Sequence, residues 1–181
     1  MKKLQLLQIS ASVVAFGAMV ALLATVNAHD AMAAETSATG NAKAKIIAPV
    51  TLEAVSGTAN ELNFGTMLSS SAHNVTVSTA GVRTGTVANM LVSDSNTPSA
   101  GKFTASSDTA ISTTLAIDST ATISHGSTNL TVNSLTTDPA TGTLALTAGT
   151  PQEIKVGGTL VVPQNAESGD YTGTYHVTLS Y

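Results

Sequence analysis

From Tyr171 to Tyr181 the chain alternates without a break. Tyr171, Gly173, Tyr175, Val177, Leu179 and Tyr181 share one parity, and Thr172, Thr174, His176, Thr178 and Ser180 share the other. A strand turns successive side chains to opposite faces, so this spacing predicts one long strand with an apolar face and a hydroxyl face. Tyr171, Tyr175, Val177, Leu179 and Tyr181 are therefore expected to bury their side chains in one core. The same strand is the expected edge for assembly. Most termini fray, and an alternating strand here is expected to tie the end of the chain into a sheet.

The opposite end reads differently. Lys2 and Lys3 precede an apolar run from Ala11 to Val26, and Ala31-Met32-Ala33 supplies small residues at the flanks of a cleavage site. Basic, apolar and small-residue regions in that order predict a secretory signal peptide over residues 1–33. A cut after Ala28 is the other option, but Ala28 lies almost against the apolar run. An uncleaved anchor would want roughly 20 apolar residues, and this run is shorter. Residues 34–41 read as a flexible polar lead-in, and 42–181 as a single domain. The expected location is outside the cytoplasm: periplasm, cell surface or medium.

From Ala34 onward there are five basic residues and ten acidic ones, a net charge of −5 spread without blocks. Nucleic-acid binding wants a basic patch with stacking aromatics, and an anionic membrane surface wants clustered lysines. Neither pattern is present, so neither partner is expected. The chain has no cysteine, which excludes thiolate metal sites and disulfide staples. Stability is left to a large sheet core, to assembly, or to both.

Thr and Ser abound, and Gly, Asn and Asp punctuate the chain every eight to twelve residues, as in all-β domains of short strands. Lys43 to Val55 reads as the first strand, with Ile46, Ala48, Val50 and Leu52 in register on one face; Pro49 restricts it to an edge. Further strands are predicted at Leu62–Thr66, His73–Ser78, Val82–Val92, around Phe103, and at Ile111–Ile117, Ala121–Ser124, Asn129–Leu135, Thr143–Leu146 and Ile154–Val162. Gly65 suggests a bulge or a close backbone approach, and Gly157-Gly158 a bulge. Strand spacing favours an antiparallel two-sheet sandwich.

The landmarks Ile46-Ile47-Ala48-Pro49-Val50-Thr51-Leu52, Leu62-Asn63-Phe64-Gly65-Thr66, Val156-Gly157-Gly158-Thr159-Leu160 and Gly169 to Tyr181 run through nearly all of 42–181. In that order they resemble the bacterial family called domain of unknown function 4402. The closing strand and the Asn-Phe-Gly element are also similar to spore-coat-U and archaic chaperone–usher pilus subunits. The resemblance implies an exported Ig-like β-sandwich of a Gram-negative bacterium, a fimbrial-like subunit or adhesin-like module. Its implied partners are other copies of itself or related subunits, joined by strand addition, and a periplasmic chaperone. It implies no catalytic residues and no cofactor. Ile46, Ala48, Val50 and Leu52 would then be a donor strand or the domain's own first strand. The alternative is a monomeric binding domain that recognises a glycan or protein through its loops.

No constellation for chemistry competes with this. His29, His73, His125 and His176 are widely separated and read as surface residues, whereas a metal site wants converging ligands. No Gly-x-Ser-x-Gly elbow is present. Asp108, Asp118 and Asp138 sit at turns, where aspartate caps its own backbone. Gly157-Gly158 is followed by strand residues, whereas a phosphate loop leads into a helix N-terminus. Lys102 and Lys155 lie in or beside strands, without a motif for an isopeptide staple. The chain is expected not to be an enzyme.

Overall fold

The computed structural model describes residues 36–181, so the expected signal peptide and its cleavage sites lie outside the described residues. Eleven strands form: β1 (Val50–Ala54), β2 (His73–Val77), β3 (Arg83–Gly85), β4 (Gly101–Ser107), β5 (Ile111–Ile117), β6 (Thr120–His125), β7 (Thr128–Asp138), β8 (Gly142–Leu146), β9 (Gln152–Val162), β10 (Thr172–Thr174) and β11 (Val177–Ser180). A 3₁₀ turn at Gly57–Asn60 is the one helical element among the described residues. The class is all-β, with two antiparallel sheets of eight and three strands.

The large sheet is built around β9. Ile154, Val156, Gly158, Leu160 and Val162 face inward, as the period of two requires. One edge of β9 pairs with β7 along most of its length. The other edge is shared end to end: β4 takes Gln152 to Val156 and β2 takes Gly158 to Val162. Gly157 sits at the junction, where a Cβ would lie 2.6 Å from the Val77 carbonyl oxygen and 2.8 Å from the Thr79 nitrogen. The full order is β1-β4-β9-β7-β6-β10, with β3 attached to β2. The small sheet runs β11-β5-β8.

Two apolar clusters result. One gathers Val75, Val77, Leu130, Val132, Leu135, Val156, Leu160 and Val162 under Phe64, with Leu62, Met67 and Leu91 packed against it. The other joins Ala105 and Ile154 of the large sheet to Leu115, Leu144 and Leu146 of the small one. Phe103 and Val177 touch both clusters.

Several expectations need correction. The first strand is shorter than 43–55: only Val50–Ala54 pairs, with β4. Ile46 is 95% exposed and, like Ala48, lies in no strand. Proline at 49 has no N–H for a ladder, and the strand begins just after it. Leu62–Thr66 and Val82–Val92 are largely irregular; the Val92 N–H donates to the Thr66 carbonyl at 3.0 Å beside the Met67–Leu91 bridge, and Asn63 bridges to Ser99. The irregular backbone is held by Arg83, whose Nη1 donates to the Phe64 and Thr66 carbonyls at 3.2 and 3.0 Å and whose Nη2 donates to Val92 at 2.7 Å. Gly65, at φ +71°, makes the close approach expected of it, against Pro98 and the Asn96 carbonyl. The bulge expected at Gly157-Gly158 belongs to β7, where Ser134 (φ 51°) inserts between Asn133 and Thr136. That extra residue moves the buried parity from Leu130 and Val132 to Leu135. His73 is buried rather than on the surface, with Nδ1 2.9 Å from the Ser71 carbonyl oxygen.

The adjacent glycines of β9 give a test. Gly157→Ala drives a methyl into backbone, which cannot yield. Gly158→Ala meets the side chains of Leu135, Val132 and Leu62. Overpacking typically costs about 1–3 kcal/mol; urea denaturation is expected to place Gly157→Ala at or above the top of that range and Gly158→Ala below it.

Candidate functional site

The residues singled out for assembly lie on two segments, and the structure separates what the sequence joined. The stretch from Tyr171 to Tyr181 is not one strand. Its first part, β10, pairs with β6 at the edge of the large sheet. Its second part, β11, pairs with β5 at the edge of the small sheet. Two residues, Tyr175 and His176, carry the chain across. Beside them the partner strand crosses in the opposite sense: β5 ends at Ile117 in the small sheet and β6 starts at Thr120 in the large one.

This double crossing is clasped by Asp118. Its backbone N donates to the His176 carbonyl at 3.1 Å. Its Oδ2 accepts from the His176 backbone N at 2.8 Å and lies 3.0 Å from His176 Nδ1. A carboxylate oxygen only accepts, so the imidazole carries its proton on Nδ1 here. The backbone hydrogen bond, followed by the imidazole, holds the Asp118 carboxyl below its ordinary value of 3.8. Sequence reading treated Asp118 as capping its own turn and His176 as a free surface residue. The pairing spans 58 positions, and alternation carries no signal for it.

Tyr171, Tyr175 and Val177 pack on the first cluster, and Val177 and Leu179 on the second. The shared parity therefore survives the crossing, but it serves two cores. Tyr181 departs from expectation: it is 63% exposed, since β11 ends at Ser180. Tyr175 stands edge-on to Phe103, with ring centroids 6.0 Å apart and planes at 78°. Burial pushes its phenol up to about 12, because the charged form is the one desolvation penalises. Gly101 keeps the space for that hydroxyl, since a Cβ there would collide with it.

On the second segment, Val50 and Leu52 of β1 are half-buried against the second cluster, opposite Ser107 and Ala105. Ile46 and Ala48 lie upstream in unpaired chain. Asn63 of the Asn-Phe-Gly landmark accepts from the Gly65 N–H at 2.7 Å and donates to Asn96 Oδ1 at 2.8 Å. With Phe64 in the core, that landmark maintains the fold. Among the described residues, no group of three or more His, Asp or Glu side chains is placed to hold a metal ion. Besides these segments the surface has a polar groove of roughly 810 Å³, lined by Glu61, Asn63, Ser95, Thr97, Lys102 and Lys155 among others. No residue of it was singled out from sequence as a binding group.

The family described as Domain of unknown function (DUF4402) matches residues 54–181. No curated protein compared with the chain matches it.

Two measurements follow from this geometry. A carboxyl whose pKa is lowered on folding contributes stability above the ordinary aspartate range, near pH 4. That contribution is lost as pH falls through the lowered value. Asp118→Asn is therefore expected to lower the melting temperature at neutral pH and to shrink the difference from wild type as the pH is taken to about 3. Separately, Tyr175→Ala is expected to cost about 3 kcal/mol in chemical denaturation, near the lower end for a truncated aromatic. Tyr181→Ala is expected to stay within about 0.5 kcal/mol, as an exposed position does.

Proposed function

The chain belongs to the DUF4402 family, and with that family's β-sheet domain as the premise we propose that it is an exported structural subunit of a surface assembly. In this reading copies of the chain, or related subunits, join by strand addition after escort by a periplasmic chaperone, and the domain has no catalytic role. One observation carries it: the closing segment lies at an open edge of both sheets at once, β10 in one and β11 in the other. An edge strand offers unpaired N–H and C=O groups, and an added strand satisfies them while its alternate side chains enter pockets. Upstream of β1 the chain supplies such a strand in Ile46 and Ala48, which lie in no strand here; Ile46 is 95% exposed, and Ala48 is partly buried. The signal-peptide pattern of residues 1–33 supports export.

A second reading, a self-contained binding domain, is favoured by the polar groove. Assembly separates the two. Residues 34–181 are expected to run as ladders in unheated gels and to elute as oligomers, whereas 50–181, which keeps β1, is expected to remain a folded monomer. Monomers in both cases would defeat strand addition. Loss of folding in 50–181 would show that the upstream segment serves its own domain.

A further inference from the structure

We propose that the groove beside β4 and β9 is a binding site for an acidic saccharide, a sugar chain bearing carboxylates. This gives the binding reading above a ligand class, and it does not depend on whether the chain polymerises.

The first observation is a like-charged pair. Lys102 on β4 and Lys155 on β9 are direct cross-strand partners in an antiparallel ladder. They share the outer face, since Phe103, Ala105, Ile154 and Val156 point into the clusters. Like charges placed directly opposite destabilise a sheet. Lys155 has partial relief from Glu153 on its own strand, with Nζ–Oε1 at 3.3 Å. Its cross-strand neighbour on the other side is the acidic Asp138 of β7, so the uncompensated member of the pair is Lys102. Lys102 makes no ion pair among the described residues.

The second is where the pair sits. Both lysines line the groove of roughly 810 Å³, within the range of ligand sites and far larger than a single ion needs. The third is scarcity. From residue 50 to 181 the basic residues are Arg83, Lys102 and Lys155. Arg83 is committed to three backbone carbonyls, so both ammonium groups of that stretch open on one groove, in an acidic chain.

The rest of the lining selects the kind of anion. Thr79, Ser95 and Thr97 bring hydroxyls, and Glu61 brings a carboxylate. A carboxylate there accepts from sugar hydroxyls and opposes a dense polyanion such as a nucleic acid. One anionic group per sugar set against the ammonium pair, with neutral hydroxyls beyond, matches that arrangement. The lysine pair is then a local strain that a bound carboxylate relieves.

The probe is a galacturonate trisaccharide, with its methyl ester as the uncharged twin and inorganic phosphate as an ion of the same sign. Binding is read by calorimetry on residues 34–181 and again on 50–181, so that failure of assembly and failure of binding are seen separately. The acid is expected to bind, more weakly as salt is raised, and the ester to bind at least tenfold more weakly. Lys102→Gln with Lys155→Gln is expected to weaken binding of the acid by about tenfold or more, the loss of a charged hydrogen bond. Lys102→Arg is expected to retain binding, and Thr122→Ala, on β6, to leave it unchanged. Lys102→Gln alone is expected to melt no lower than wild type while binding more weakly. The proposal is overturned if the trisaccharide does not bind at millimolar concentration. It is equally overturned if the ester binds as well as the acid, if the double variant binds undiminished, or if phosphate displaces the sugar at equal concentration. A lower melting temperature for Lys102→Gln would remove the strain argument.

Discussion

The structure depends on the unbroken alternation of β9. Eleven residues without a register error present Ile154 to one cluster and Val156, Leu160 and Val162 to the other. Both of its edges are occupied, so it has no exposed backbone ladder to protect. The irregularities sit on its neighbours: β7 absorbs the bulge at Ser134, and β2 and β4 divide one edge between them. A shift of β9 by one residue would turn every inward side chain outward. Gly157 makes such slippage harder, because only a residue without a Cβ fits against the Val77 carbonyl.

Alternation was legible wherever a strand was straight and half-buried. Ile111–Ile117 and Thr143–Leu146 came out within a residue of β5 and β8. The failures have a common cause. Parity tells which way a side chain points and not which sheet receives it. Tyr171 to Leu179 keep one parity while the strand passes from one sheet to the other, and the crossing is set by Asp118, far away in sequence. The upstream segment fails for a related reason: Ile46 and Ala48 have the right parity but no strand partner among the described residues, and Ile46 stays exposed.

The polar groove was illegible for a different reason. Lys102 and Lys155 are ordinary as single residues, and their significance comes from β4 and β9 being antiparallel neighbours in one register. A cross-strand charge pair exists only once the topology is known. Arg83 shows the same lesson from the other side: a lone arginine in an acidic chain invites an ionic role, yet its three hydrogen bonds all go to main-chain carbonyls of the segments that roof the first cluster.

The order of β9 after all three of its partners has a consequence for folding. Its partners β2, β4 and β7 all come earlier, and the Thr76–Thr159 pairing spans 83 positions. Chains emerge N-terminus first, and pairings between distant segments must meet the loop-closure cost before any contact rewards it. Until residue 162 is available, β2 and β4 lack the strand that aligns them end to end, and the first cluster lacks Val156, Leu160 and Val162. The large sheet therefore cannot close until β9 has joined the three strands that precede it.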